Sequence, residues 1–150
     1  KYDYIIIDCP STLSMLTINA LTAADSVIFP VESHVLSYDN SFKTFETVMR
    51  VRKNFNPDLE IEGILITKHQ ERTDLGKSII KNAHEAYGGK VHIFSSPIPY
   101  SIVVGELPGH GVSIFEYLEN NIKNYNSAEK VAQAYKTVAR ELIGNVKVEA

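Results

Sequence analysis

The chain has 150 residues, a formal net charge of −3 and a single cysteine. That length fits one domain with its own core. The lone cysteine excludes an intrachain disulfide and fits a reducing, cytoplasmic setting, and no run reaches the roughly 18–20 apolar residues of a membrane span. The balance of charge excludes a global basic field for nucleic acid but leaves room for local basic patches.

Residues 2–10 read Tyr-Asp-Tyr-Ile-Ile-Ile-Asp-Cys-Pro. Three consecutive β-branched isoleucines predict a short strand, and its apolar character on both faces places it in the middle of a covered parallel sheet. Pro10 ends it, because proline cannot donate to a ladder. Asp8 is then expected at the carboxyl end of a buried strand, where open α/β sheets bind ligands. It is either a helix cap or, the reading we favour, the acid that orients Mg²⁺ or water at a nucleotide site. The chain opens on Lys1, no signal peptide is visible, and a core strand lies close behind, so a fragment of a longer protein is expected.

Ser11 and Thr12 have N-cap chemistry for a mostly apolar helix running to about Ala24. Residues 27–31 predict the next strand and 32–40 a polar loop. Ser41 or Asp39 can cap a helix whose apolar face is Phe42, Phe45, Val48, Met49 and Val51. It stops at the Asn-Phe-Asn-Pro-Asp run 54–58. Residues 61–67 predict a third strand and 68–73 a loop, and Asp74 is expected to cap a helix closed by Gly88-Gly89. A fourth strand starts at 91–94, and 100–112, rich in Gly and Pro, reads as irregular loop. A short helix or turn follows at 114–118, and Ser127 caps a last helix that ends at Gly144. Strands alternating with helices mean crossover connections. The expected fold is α/β, a doubly wound, mainly parallel sheet with helices on both faces, forming a single domain over 1–150.

No pair among the five histidines has metal-ligand spacing with a nearby acid, and no nucleophile, base and acid set is arranged for hydrolase chemistry. Basic residues gather in two groups, Lys43, Arg50, Arg52 and Lys53, and Lys68, Arg72, Lys77 and Lys81. Each is either a solvated helix face or a phosphate-contacting surface.

Asp8-Cys9-Pro10, the run 16–25 (Leu-Thr-Ile-Asn-Ala-Leu-Thr-Ala-Ala-Asp), Val27-Ile28-Phe29-Pro30-Val31, Asn56-Pro57-Asp58, Glu62-Gly63, Arg72-Thr73-Asp74-Leu75, Ile98-Pro99 and His110-Gly111 follow one another at characteristic spacing. In this the chain closely resembles the ParA/Soj-type partition ATPases, of the deviant Walker A class of P-loop ATPases, over nearly its whole length. The resemblance implies a catalytic role for Asp8, beside Mg²⁺ and the attacking water, and a γ-phosphate switch at Pro10, Ser11 and Ser14. It implies an adenine flank built from Thr67, Lys68, Pro99, Tyr100 and Ser101. It implies nonspecific DNA binding through Arg72, Lys68, Lys77, Arg52 and Lys53, a homodimer when ATP is bound, and a ParB-like centromere-binding partner.

Four positions depart from the family pattern. Pro10-Ser11 replaces Pro-Pro, Ser14 stands where glycine is common, and Tyr100-Ser101 replaces Arg-Asn. No G-x-x-x-x-G-K-[ST] occurs in the sequence, so ATP and Mg²⁺ are expected only together with an N-terminal P-loop part, and these residues alone are expected to be inactive. The other readings are a MinD-like ATPase of division-site placement and a P-loop-less, non-catalytic binding module. The short, mixed-charge end 144–150 does not favour a membrane anchor.

Overall fold

The computed structural model describes residues 2–10, 14–33, 37–87, 89, 91–120 and 126–145, with the backbone alone for 37–43, 86 and 145. In chain order the elements are α1 (Met15–Ala23), β1 (Ser26–Glu32), α2 (Ser37–Asn54), β2 (Glu60–Thr67), α3 (Asp74–Tyr87), α4 (Ile102–His110), α5 (Ile114–Asn120) and α6 (Asn126–Asn145). β1 and β2 run parallel, from the pair Ser26 and Glu60 to the pair Glu32 and Thr67. A parallel pair requires a crossover, and α2 supplies it.

A third extended lane, residues 91–99, lies beside the other edge of β2. Isolated parallel bridges join Ile64 to Ile93 and His69 to Pro99. The Ile64 amide donates to the His92 carbonyl at 2.9 Å and the Ile98 amide to the Ile66 carbonyl at 2.8 Å. The predicted strand at 91–94 is therefore present as a lane but not as a continuous ladder. The Ser95 amide turns away to the Glu141 carboxylate of α6, and Pro97 has no amide to offer. Gly63 allows the close approach. β2 carries a bulge there, since Val27 pairs with Ile61 but Ile28 with Gly63. Gly63 has φ +154, and a Cβ on it would stand 2.7 Å from the His92 carbonyl oxygen.

Side chains alternate across the sheet. Phe29, Val31 and Ile64 join Leu21, Val48, Val51 and Leu59 on the face covered by α1 and α2. Ile28 and Leu65 face the other way, onto Phe94, Ile98, Val131, Ala134 and Val138. Leu107, Ile114, Ala128 and Ala132 close a third cluster among α4, α5 and α6. Helices thus cover both faces, as the sequence pattern predicts. Asn56, in the α2–β2 connection, donates its side-chain amide to the carbonyls of Leu21 and Ala24 at 3.1 and 2.8 Å. This satisfies orphan acceptors at the end of α1.

Several expectations are corrected. Residues 2–10 are in no strand, and Ile5 and Ile6 are 86% and 91% exposed. A strand forms only where a neighbour completes its ladder, and none of the described residues supplies one. Residues 102–110 are helix α4, not loop: Val103, Val104 and Leu107 pack into the apolar clusters, and that burial outweighs the poor helix propensity of Gly105, Pro108 and Gly109. Gly111, at φ +64, then ends the helix in the left-handed conformation. Helix α2 begins at Ser37, inside the predicted loop, because a short polar run carries no apolar period that would separate a helical turn from a loop. Thr73, not Asp74, caps α3, its hydroxyl accepting the Gly76 amide at 3.0 Å. Helix α6 starts at Asn126, which puts Ser127 inside its first turn. The predicted caps Ser11 and Thr12 and the stop residue Gly88 lie outside the described residues.

Candidate functional site

Because β1 and β2 are parallel, their carboxyl ends meet at one edge of the sheet. Glu32 and Ser33 leave β1 there, Thr67 to His69 leave β2, and the bridge from His69 to Pro99 brings Tyr100 and Ser101 alongside. The backbone knits this edge together. The Ser33 amide donates to the Thr67 carbonyl, the His69 amide to the Ile98 carbonyl and the Tyr100 amide to the His69 carbonyl, each at 2.9 Å. The Thr67 hydroxyl donates to the Val31 carbonyl at 3.4 Å. The five residues expected to flank a nucleotide, Thr67, Lys68, Pro99, Tyr100 and Ser101, therefore form one group at the position the crevice rule names.

Two side-chain contacts clasp the strand tips. Lys68 pairs with Glu32, and the Ser33 hydroxyl lies 3.3 Å from His69 Nδ1. Burial lowers the pKa of His69, against the opposing pull of the Glu71 carboxylate. Lys68 holds φ +51, unlike every other described non-glycine residue. Left-handed backbone at such a residue costs about 1–3 kcal/mol. An ion pair as exposed as this one, with side chains 60% and 52% accessible, contributes only about 0–1 kcal/mol. The pair does not offset the backbone cost, and glycine or asparagine would fit the turn more cheaply.

Two hydroxyls at helix starts have no partner among the described residues. Ser14 is the N-cap residue of α1 and Ser101 that of α4, yet neither side chain makes a capping bond. Among the described residues neither Oγ atom, though buried, has a hydrogen-bond partner. α1 leads into the start of β1, and Ser14 stands at the end of α1 away from that connection. Ser11 lies outside the described residues, and Pro10 is exposed. Asp8 is not brought to the group: it is exposed in the unpaired segment, and among the described residues no hydrogen bond or ion pair ties it to the strand tips.

The basic residues divide. α2 leads from the carboxyl end of β1 to the amino end of β2, so Arg52 and Lys53 in its last turn lie at the opposite edge of the sheet from Lys68. Arg72 and Lys77, in the loop after β2 and the start of α3, share the edge with Lys68, and both are exposed. Glu32, Ser33 and His69 were not singled out by sequence. The signal for them was the alignment of the ends of two parallel strands. Among the described residues no His, Cys, Asp and Glu cluster could hold a metal ion, and no helix is long and apolar enough to cross a membrane.

Comparison with known proteins gives concordant results. A family model described as an AAA domain matches residues 1–61. The chain is 38% identical over 145 residues to the sporulation initiation inhibitor protein Soj of Bacillus subtilis, covering 97% of this chain and 53% of that protein. It is 35% identical over 142 residues to the chromosome partitioning protein ParA of Caulobacter vibrioides, covering 95% and 49%. The chain thus spans about half the length of the curated relatives it matches. Among solved structures, cobyrinic acid a,c-diamide synthase of Mycobacterium smegmatis, with bound ADP and magnesium, aligns at 33% identity and TM-score 0.60 over 67% of this chain and 40% of its own. McdA from Cyanthece aligns at TM-score 0.66 and 17% identity over 85% and 48%, a likeness of fold alone.

Proposed function

Since the chain belongs to the ParA/Soj-type partition ATPase family, we propose that it forms the C-terminal portion of the ATPase domain of a DNA-partitioning protein. The observation that carries this reading is the sustained identity to Soj and ParA proteins along nearly the whole chain. The grouping of Thr67, Lys68, Pro99, Tyr100 and Ser101 at one sheet edge supports it. In the reading, those residues flank the adenine of ATP, and the buried hydroxyls of Ser14 and Ser101 meet polar atoms of the ligand. Pro10, Ser11 and Ser14 belong to the segment that senses the γ-phosphate. Asp8 orients water and, indirectly, Mg²⁺, once residues 2–10 gain a strand neighbour. Bound nucleotide drives homodimer formation, the dimer binds DNA without regard to sequence, and a ParB-like protein stimulates hydrolysis.

This chain contains no phosphate-gripping glycine loop, so alone it is expected to turn over no ATP. The test joins the part of B. subtilis Soj outside the match to residues 1–150. A soluble, folded chimera should hydrolyse ATP and lose at least about a hundredfold in rate on Asp8→Ala. A folded chimera without hydrolysis, or with hydrolysis indifferent to Asp8→Ala, would overturn the reading.

A further inference from the structure

Lys68 is an odd choice for its position. It occupies left-handed backbone, and its ammonium is paired with a solvent-exposed carboxylate across the strand tips. Neither feature is explained by stability. Backbone outliers kept against their cost mark functional positions. Along the same edge and onto α3 stand Arg72, Lys77 and Lys81, all exposed. Lys81 is itself paired, with Glu85 at 3.7 Å. These cations are spread over the loop after β2 and the first two turns of α3, a spacing along the chain that offers successive contacts to a row of phosphates.

We propose that Glu32 is a built-in competitor for DNA: it holds Lys68 in a resting ion pair that a backbone phosphate of duplex DNA must displace. The left-handed turn at Lys68 sets the ammonium at the rim of the sheet, where it exchanges between the carboxylate and a phosphate. Both partners are exposed, so the exchange needs no rearrangement of the core. Glu32 therefore lowers DNA affinity and sharpens its dependence on whatever draws the carboxylate away. This proposal rests on the DNA-binding part of the function proposed above.

The test measures binding of a fluorescent duplex of arbitrary sequence to the Soj chimera described above, at saturating ATP, by anisotropy, across a salt titration from low ionic strength. Glu32→Gln is expected to tighten binding by about three- to tenfold and to steepen the log–log salt slope by about one. Lys68→Gln should weaken binding and erase the effect of Glu32→Gln in the double variant. Lys68→Gly should weaken binding while raising the melting temperature, which separates the charge from any structural role of the side chain. Affinity unchanged by Glu32→Gln, an effect that survives in the double variant, or tighter binding of ATP without tighter binding of DNA would overturn the competitor role. Arg72→Gln and Lys77→Gln report on the underlying reading. If they and Lys68→Gln leave binding unchanged, or if neither the ATP-loaded parent chimera nor its Glu32→Gln variant binds duplex, the DNA reading falls and the competitor role with it.

Discussion

Residues 5–7 and 64–66 carry nearly the same letters, Ile-Ile-Ile and Ile-Leu-Ile, yet they differ in every structural respect. Ile64 and Ile66 are 5% and 1% exposed, between β1 on one side and the 91–99 lane on the other. Ile5 and Ile6 stand in solvent. Intrinsic strand preference is the same for both runs. The difference is that backbone partners flank one run on each edge and flank the other on neither among the described residues. Strand propensity describes how a side chain fits a pleated surface, and it does not create that surface.

The widest separation between the two runs should come from paired truncations. Ile66→Ala is expected to cost about 2–5 kcal/mol by urea denaturation, and Ile6→Ala less than about 0.5 kcal/mol. Equal losses would mean that residues 2–10 are packed in solution and would break the comparison.

The next effect probes what lets β2 accept a neighbour. Gly63→Ala is expected to cost about 2–3 kcal/mol, since it combines a positive-φ position with a Cβ against the His92 carbonyl. Its amide-exchange signature should be loss of protection at Ile64 and Phe94, whose amides bond across that lane. Asn56→Ala should cost about 1–2 kcal/mol, because two carbonyls at the end of α1 lose their donor. That loss reaches the element which follows residues 2–10, and thermal denaturation will read it.

The smallest effects depend on pH. His69 is held below its ordinary value of 6.5 by burial, so the unfolded chain takes up the proton more readily than the fold. Its contribution is therefore fully present above that value and declines as pH falls below it. His69→Gln should flatten stability between about pH 7 and pH 5, measured as urea midpoints. Glu141 behaves likewise in a lower window. Burial pushes its carboxyl up, but hydrogen bonds from the Ser95 hydroxyl and amide and from His92 outweigh that and leave it lowered. Its contribution is present above the ordinary glutamate value and is lost as pH falls through the folded one. Glu141→Gln should remove that acid-side slope and loosen α6 from the 91–99 lane. A slope unchanged by the substitution would count against the clasp.

Much of this molecule could be read from the order of its residues. Alternation of apolar strands and helices is enough to predict a parallel α/β sheet covered on both faces, because each element's apolar side needs a cover and parallel strands need crossovers. The run of motifs from Asp8 to His110-Gly111 was enough to identify the family. Pattern could not foresee that residues 102–110 coil into a helix, since their propensity opposes it and only burial of Leu107 and its neighbours overrides it. It could not pair Glu32 with Lys68 or Ser33 with His69, which lie 36 positions apart in each case. Nor could it decide whether the isoleucines before Asp8 are covered. Propensity and periodicity are properties of a segment and are written in it, whereas a ladder partner, a clasp and a covered face belong to two segments at once and exist only when the chain has brought them together.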